Sequence, residues 1–232
     1  MKVGRALLVA GVAAGAGAGL RLAHARHERI LHPDGRSFTG CLQITGRGEP
    51  TGAALLDRPD RHPVTVRISK GAGTWPGWPD VLGVALRVHG PVAGHRTDLL
   101  FSTAGRGRFS KHLPTLRRSF DTGYGTITSY RTGTGRKLYL SVTCDPDSTP
   151  LGRTLESVVA AAAGDGARLL LTDGAGRVLG RVTFGQLCPA STDDALAFDP
   201  GNAPADLHPS GLVHASRCVT YKWARRWRGQ RA

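Results

Sequence analysis

Between Phe38 and Phe184 the chain breaks into about eight short apolar stretches, each bounded by Gly, Pro, Asp or Asn, and this punctuation constrains the fold more than any other feature. The stretches centre near Leu42, Val66, Ala85, Leu100, Ile127, Leu140, Leu170 and Val182. Eight strands suffice to close a sheet on itself around an interior that side chains or one ligand can fill. Asp173-Gly-Ala-Gly176, between Leu169-Leu-Leu171 and Val178-Leu-Gly-Arg-Val182, reads as a hairpin turn, and Gly133-Thr-Gly135 reads as another. The expected class is α+β, mainly β, built on an eight-stranded antiparallel barrel.

One interruption is helical: Leu155 to Ala163 is rich in Leu, Val and Ala and follows Thr154, a candidate N-cap. A proline-rich link from Pro189 to Pro209 then carries the chain out of the barrel, and Leu212 to Arg228 forms a closing helix. At the other end Lys2 and Arg5 precede Ala6 to Leu20, fifteen apolar but Ala/Gly-rich residues. A membrane span needs about 20. Ala23-His24-Ala25 offers a signal-peptidase-like site. Residues 1–25 therefore read either as a removable signal or as a helix resting on the barrel or on a membrane surface. Residues 26–232 read as a single barrel domain. Cytoplasmic, membrane-associated and exported forms all fit this beginning.

At 232 residues with an apolar fraction of 40%, the chain has material for a sizeable core. Its 31 basic against 17 acidic side chains give a formal charge of +14, which suits an anionic partner such as nucleic acid or anionic lipid. The excess is spread along the sequence and dominated by arginine, a pattern that serves solubility. Nucleic acid ranks last as a partner, because apart from Trp223 and Trp227 no aromatic platform is interleaved with the arginine-rich tail from Arg225 to Arg231. Cys41, Cys144, Cys188 and Cys218 form no Cys-x-x-Cys pair, which argues against a zinc knuckle or a thioredoxin-like site. His24, His27 and His32 have no carboxylate or cysteine companion at metal-site spacing, and Asp193-Asp194 has no partner ligands either. The hydrolase and nucleotide signatures Gly-x-Ser-x-Gly, Walker loop and His-Glu-x-x-His do not occur.

The closing helix carries the chemistry. In Arg217-Cys-Val-Thr-Tyr221 the arginine lies four residues before the tyrosine, which on a helix puts both on one face, where a positive charge can lower a phenol pKa. Arg228, seven residues further on, returns to nearly the same angle. This group resembles the haem-binding helix of catalases. Three other blocks resemble catalases in the family's order: Glu28-Arg-Ile-Leu-His32-Pro-Asp-Gly35 with Gly40, the segment of the distal histidine; Val66-Arg67-Ile68-Ser69 with Pro79-Asp80-Val-Leu-Gly83-Val-Ala85-Leu-Arg87; and Ala197-Phe-Asp-Pro-Gly-Asn202 through His208-Pro-Ser210. The resemblance runs from residue 28 to residue 228 and implies a small catalase-like barrel with a C-terminal haem-ligand helix. The chain is too short for the wrapping segments that help full-size catalases form tetramers, though a homo-oligomer remains compatible with it.

The resemblance implies haem b as cofactor, with Tyr221 as axial ligand to the iron and Arg217 holding it deprotonated. Arg29, Arg67 and Arg228 match the catalase arginines that meet the propionates, a task suited to the planar guanidinium. His32 falls on the catalytic position, as general base and then acid toward peroxide, and Ser69, on the strand face of Arg67, would hold its imidazole. The substrate implied is hydrogen peroxide or a small organic hydroperoxide. One departure stands out: Asp98-Leu-Leu-Phe-Ser102-Thr103 matches the strand on which catalases place a distal asparagine, and the position here holds serine or threonine. A hydroxyl still donates a hydrogen bond, but with another reach. Weak catalase activity, peroxidase activity and a degenerate barrel that binds haem or another apolar ligand without turnover are the readings this leaves. Peripheral membrane contact through the N-terminal segment is a further expectation.

Overall fold

The computed structural model describes residues 32–210 apart from 47, 91, 93, 106–111 and 165. In chain order it contains β1 (Asp34–Ile44), α1 (Ala54–Asp57), β2 (Asp60–Lys70), β3 (Leu82–His89), β4 (Arg96–Ser102), β5 (Tyr124–Gly125), β6 (Ser129–Thr132), β7 (Lys137–Leu138), β8 (Leu140–Cys144), α2 (Leu155–Ala163), β9 (Arg168–Asp173), β10 (Val178–Leu187), α3 (Ala190–Ala195) and β11 (Leu207–Ser210). Eight of the strands close an antiparallel barrel in the order β1-β10-β9-β8-β5-β4-β3-β2. The other three make a small sheet in the order β11-β6-β7.

Strand alternation decides which side chains enter the barrel. Phe38, Val66, Leu86 and Leu99 are register partners across β1 to β4, and Tyr124, Val142 and Leu171 continue the same face through β5, β8 and β9. Val182 on β10 pairs with Leu42 of β1 and closes the ring. All of these are buried in one cluster, as the inward face of a closed sheet must be. Each large apolar side chain so buried contributes about 1.5–3 kcal/mol.

Helix α2 has the predicted bounds because Thr154 and Ser157 cap each other's backbone N–H groups at 3.1 Å, and it buries Leu155, Val158, Ala161 and Ala162 against β10 and β1. The hairpin at 173–176 and the turn at 133–135 are also present, closed by Gly176 N–H to Asp173 O at 2.9 Å and Gly135 N–H to Thr132 O at 2.8 Å. Three features differ from expectation. Ile127 lies between β5 and β6 rather than in a strand, because the fifth barrel strand is only two residues long. The link 189–209 is not featureless, since it holds α3 and the start of β11. Helix α1 has no counterpart in the sequence reading.

Candidate functional site

The outward face of the barrel carries a row of small and hydroxyl side chains. Gly35 of β1, Ser69 of β2, Gly83 of β3, Ser102 of β4, Gly125 of β5 and Ser141 of β8 are successive register partners. Beside it runs a second row, Ser37-Arg67-Ala85 on β1 to β3. A third, Thr65-Arg87-Asp98, lies on β2 to β4. On the outside of a barrel such residues are ordinarily wet, yet Gly35, Ser37, Arg67, Ser69, Gly83, Arg87, Asp98 and Ser102 are all buried.

His32 stands at the start of this face, just before β1. Its φ of 58° is in the left-handed region, uncommon for a residue with a side chain and more so before a proline. Two hydrogen bonds hold it. Its N–H donates to Gly71 O at 3.1 Å, and Nδ1 lies 2.9 Å from Ser69 Oγ. Gly83 makes the room: a Cβ there would stand 2.6 Å from His32 Cε1, 2.8 Å from Nδ1 and 2.9 Å from Ser69 Oγ. Glycine at 83 thus gives the His32 and Ser69 side chains their space, and its backbone freedom is not what is used.

Arg67, two residues before Ser69 and on the same face, binds around His32 from the other side. Its Nη1 donates to His32 O at 3.3 Å and its Nε to Asp193 Oδ1 at 3.2 Å. Asp193 arrives from α3 and also accepts from Ser37 Oγ. The guanidinium lies where a Cβ on Gly35 would be, so that glycine too is fixed by a close approach.

Asp98 and Arg87 form a buried, two-pronged pair across β3 and β4, with Nε to Oδ1 and Nη2 to Oδ2 both 2.8 Å. Asp98 Oδ2 also accepts from the Asp199 N–H and from Asn202 Nδ2, each at 2.8 Å, and Arg87 Nη2 donates to Ala197 O at 2.6 Å. Phe198 stacks under the guanidinium, 4.8 Å from ring centre to Cζ. The segment 197–202 is thereby fixed on the outer wall. Every oxygen of this buried carboxylate has a partner, the condition under which a buried ion pair is tolerated.

Of the two hydroxyls at the position of the expected amide, Ser102 faces the site floor opposite Gly83, whereas Thr103 is consumed by structure. Thr103 Oγ1 donates to Thr115 O at 2.6 Å and accepts from Leu82 N–H at 3.1 Å. Thus the structure brings together His32, Ser69, Arg67 and Ser102. Arg29, Arg217, Tyr221 and Arg228 lie outside the described residues. Asp193, Ser37 and the Arg87–Asp98 pair had no part in the sequence-based site. Their signal is non-local, visible only once the register of β1 to β4 is known. No group of three or more His, Cys, Asp or Glu side chains capable of holding a metal ion occurs among the described residues.

The closed eight-stranded antiparallel barrel is a catalase-like fold. The chain is similar to a fungal catalase structure with a TM-score of 0.67 and 14% identity, over 91% of this chain and 62% of that one. Catalase A from Saccharomyces cerevisiae gives 0.60 at 13% identity over 90% and 63% of the two chains, and a bacterial catalase gives 0.57 at 16% over 90% and 59%. The chain therefore spans about three fifths of the length of these catalases. No family model matches the sequence, and no curated protein matches it.

Proposed function

We propose that this protein is a haem-dependent catalase-like oxidoreductase acting on hydrogen peroxide or an organic hydroperoxide. The observation that carries the reading is the His32–Ser69 pair, with His32 held at a positive φ and given space by Gly83, on a buried outer wall of glycine and serine. Residues held in sparsely populated backbone regions cluster at functional sites. A floor of Gly83, Ala85, Ser69 and Ser102 suits a flat ligand, and the buried guanidinium of Arg67 suits a carboxylate, so the residues fit haem b.

In this reading Tyr221 is the axial ligand, Arg217 keeps its oxygen ionised, and Arg29, Arg67 and Arg228 hold the propionates. Haem when bound supplies a redox-active iron for peroxide cleavage. Ser69 anchors His32 at Nδ1. If its hydroxyl donates to Gly83 O, 3.5 Å away, then Nδ1 carries the proton and Nε2 is the basic nitrogen. His32 then takes a proton from one peroxide oxygen at Nε2 and returns it to the other, and Ser102, on the far side of Gly83 from Ser69, offers a hydroxyl donor. Domain organisation follows the same reading: an apolar segment at 1–25 before a catalase-like barrel at 26–232.

Protein expressed with a haem precursor should carry one haem per chain with a tyrosinate-type spectrum, lost in Tyr221→Ala. Peroxide consumption should fall by about 10²–10⁴-fold in His32→Ala. Colourless protein that takes up no added haem would overturn the reading. A second reading has its own support in the Asp193–Arg67 pair, which occupies the arginine with an internal carboxylate, and in serine at 102. It makes the chain a barrel that binds haem or another apolar ligand without turnover. Haem uptake with peroxide consumption indifferent to His32→Ala would favour it.

A further inference from the structure

The β2–β3 and β4–β5 connections leave the same end of the barrel as His32, since Lys70, Leu82, Ser102 and Tyr124 all end or begin strands there. The first connection displays Trp75 and Trp78, 76% and 63% exposed. The second displays Leu113 and Leu116, each 62% exposed. Four large apolar side chains held in water on two adjoining loops ask for a partner.

These loops are built, not slack. Trp75 and Trp78 flank a turn closed by Trp78 N–H to Trp75 O at 3.0 Å, with Pro76 and Gly77 (φ 75°) at its corner. Lys70 Nζ donates to Thr74 O at 2.6 Å and Trp75 O at 2.7 Å. Buried Asp80 accepts from the N–H groups of Ala72, Thr74 and Val81. Asp80 and Arg117 exchange backbone hydrogen bonds of 2.9 and 2.8 Å, which lock the two loops side by side. The main chain that carries the tryptophans is thus fixed, and both side chains stand exposed on it.

The chemistry around them selects the partner. Arg117 and Arg118 are exposed beside Leu116. By sequence the β4–β5 connection carries five basic residues, Arg106, Arg108, Lys111, Arg117 and Arg118, against one acid, Asp121. Paired tryptophans on a projecting turn, with leucines and arginines alongside, match the headgroup layer of a bilayer, which takes amphipathic indoles at its boundary and attracts basic side chains when anionic. Projecting loops rather than a groove favour a soft flat surface over a shaped partner.

We propose that this end of the barrel, through Trp75, Trp78, Leu113, Leu116, Arg117 and Arg118, docks on anionic lipid surfaces. The docking is independent of haem and of the N-terminal segment. The test is flotation of the full chain with vesicles of phosphatidylcholine alone and of phosphatidylcholine with phosphatidylglycerol. Binding is expected on the anionic vesicles, weaker at high salt. It should weaken at least about tenfold in Trp75→Ser/Trp78→Ser and in Arg117→Glu/Arg118→Glu. Leu113→Gln/Leu116→Gln reads the same surface through the other loop, and circular dichroism checks that each variant is folded. No binding, equal binding to both vesicles, or loop variants that bind like the unaltered chain would overturn the proposal. So would concentration-dependent self-association abolished by the tryptophan changes, which would assign the surface to a second copy of the chain.

Discussion

Arg67 and Asp193 lie 3.2 Å apart, both largely buried, and they join the second barrel strand to a short helix more than a hundred residues further along. The pair pins α3 against the wall that carries Ser37 and Ser69. Removing the carboxylate leaves a buried guanidinium with one charge partner fewer. Asp193→Ala should therefore lower stability by about 2–4 kcal/mol, read as a shift in urea midpoint without a change in slope. If Arg67 also receives a haem propionate, added haem should recover part of that loss by binding only the folded state. A haem-induced stabilisation no larger than that of the unaltered protein would separate Arg67 from the cofactor.

Gly83→Ala is expected to leave stability within about 1 kcal/mol, because the atoms its Cβ would meet are the ends of the His32 and Ser69 side chains, which can move. The same methyl should break the 2.9 Å contact between them. An imidazole NMR titration reads this as a displaced His32 resonance. Ser69→Ala should displace it in a similar way while removing atoms instead of adding them.

Asp98→Ala should be the more damaging change. It strands the buried guanidinium of Arg87 and removes the acceptor of the Asp199 N–H and the Asn202 amide. The expected cost is about 3–5 kcal/mol. Hydrogen exchange should rise across 197–202 before it rises in β3.

The Cys144 thiol is pushed up to about 12 by burial, reinforced by the charge of Asp121, whose Oδ1 lies 3.7 Å away. Native protein should thus alkylate slowly at this position near pH 9, and unfolding should expose a fast-reacting thiol. The sign for stability follows from the raised value. Below about 9 the thiol is neutral in both states, and above it only the unfolded chain ionises. Stability is therefore lost progressively as pH climbs from about 9 toward 12, and Cys144→Ala should remove that part of the slope.

Strand alternation made seven of the eight barrel strands legible, because each carries several inward apolar residues between turn residues. β5 escaped, since two residues cannot show a period, and the apolar Ile127 nearby drew the expectation past it. β11 escaped because Pro209 argues against a strand; it is tolerated there because β11 is the edge of its small sheet. α3 has only six residues, among them Ser191, Thr192 and two aspartates, and no apolar stripe to betray it. Within the site, the shared face of Arg67 and Ser69 followed from their spacing in β2. The Ser102 and Thr103 alternatives separated only when register turned one outward and the other into the backbone. The Arg87–Asp98 pair depended on a hairpin register centred near the Gly90 to His95 turn, which no local pattern specifies.

Ile68 points into the barrel while its neighbours Arg67 and Ser69 point out at the site, so core and chemistry are interleaved along a single strand. Substitutions can respect that partition, but insertions and deletions cannot. One residue added or lost in β2 would turn an arginine and a serine into the apolar interior and put isoleucine against His32. A change of length is thus borne far better at the connections than within β1 to β4, where residue count sets which side chains face the core.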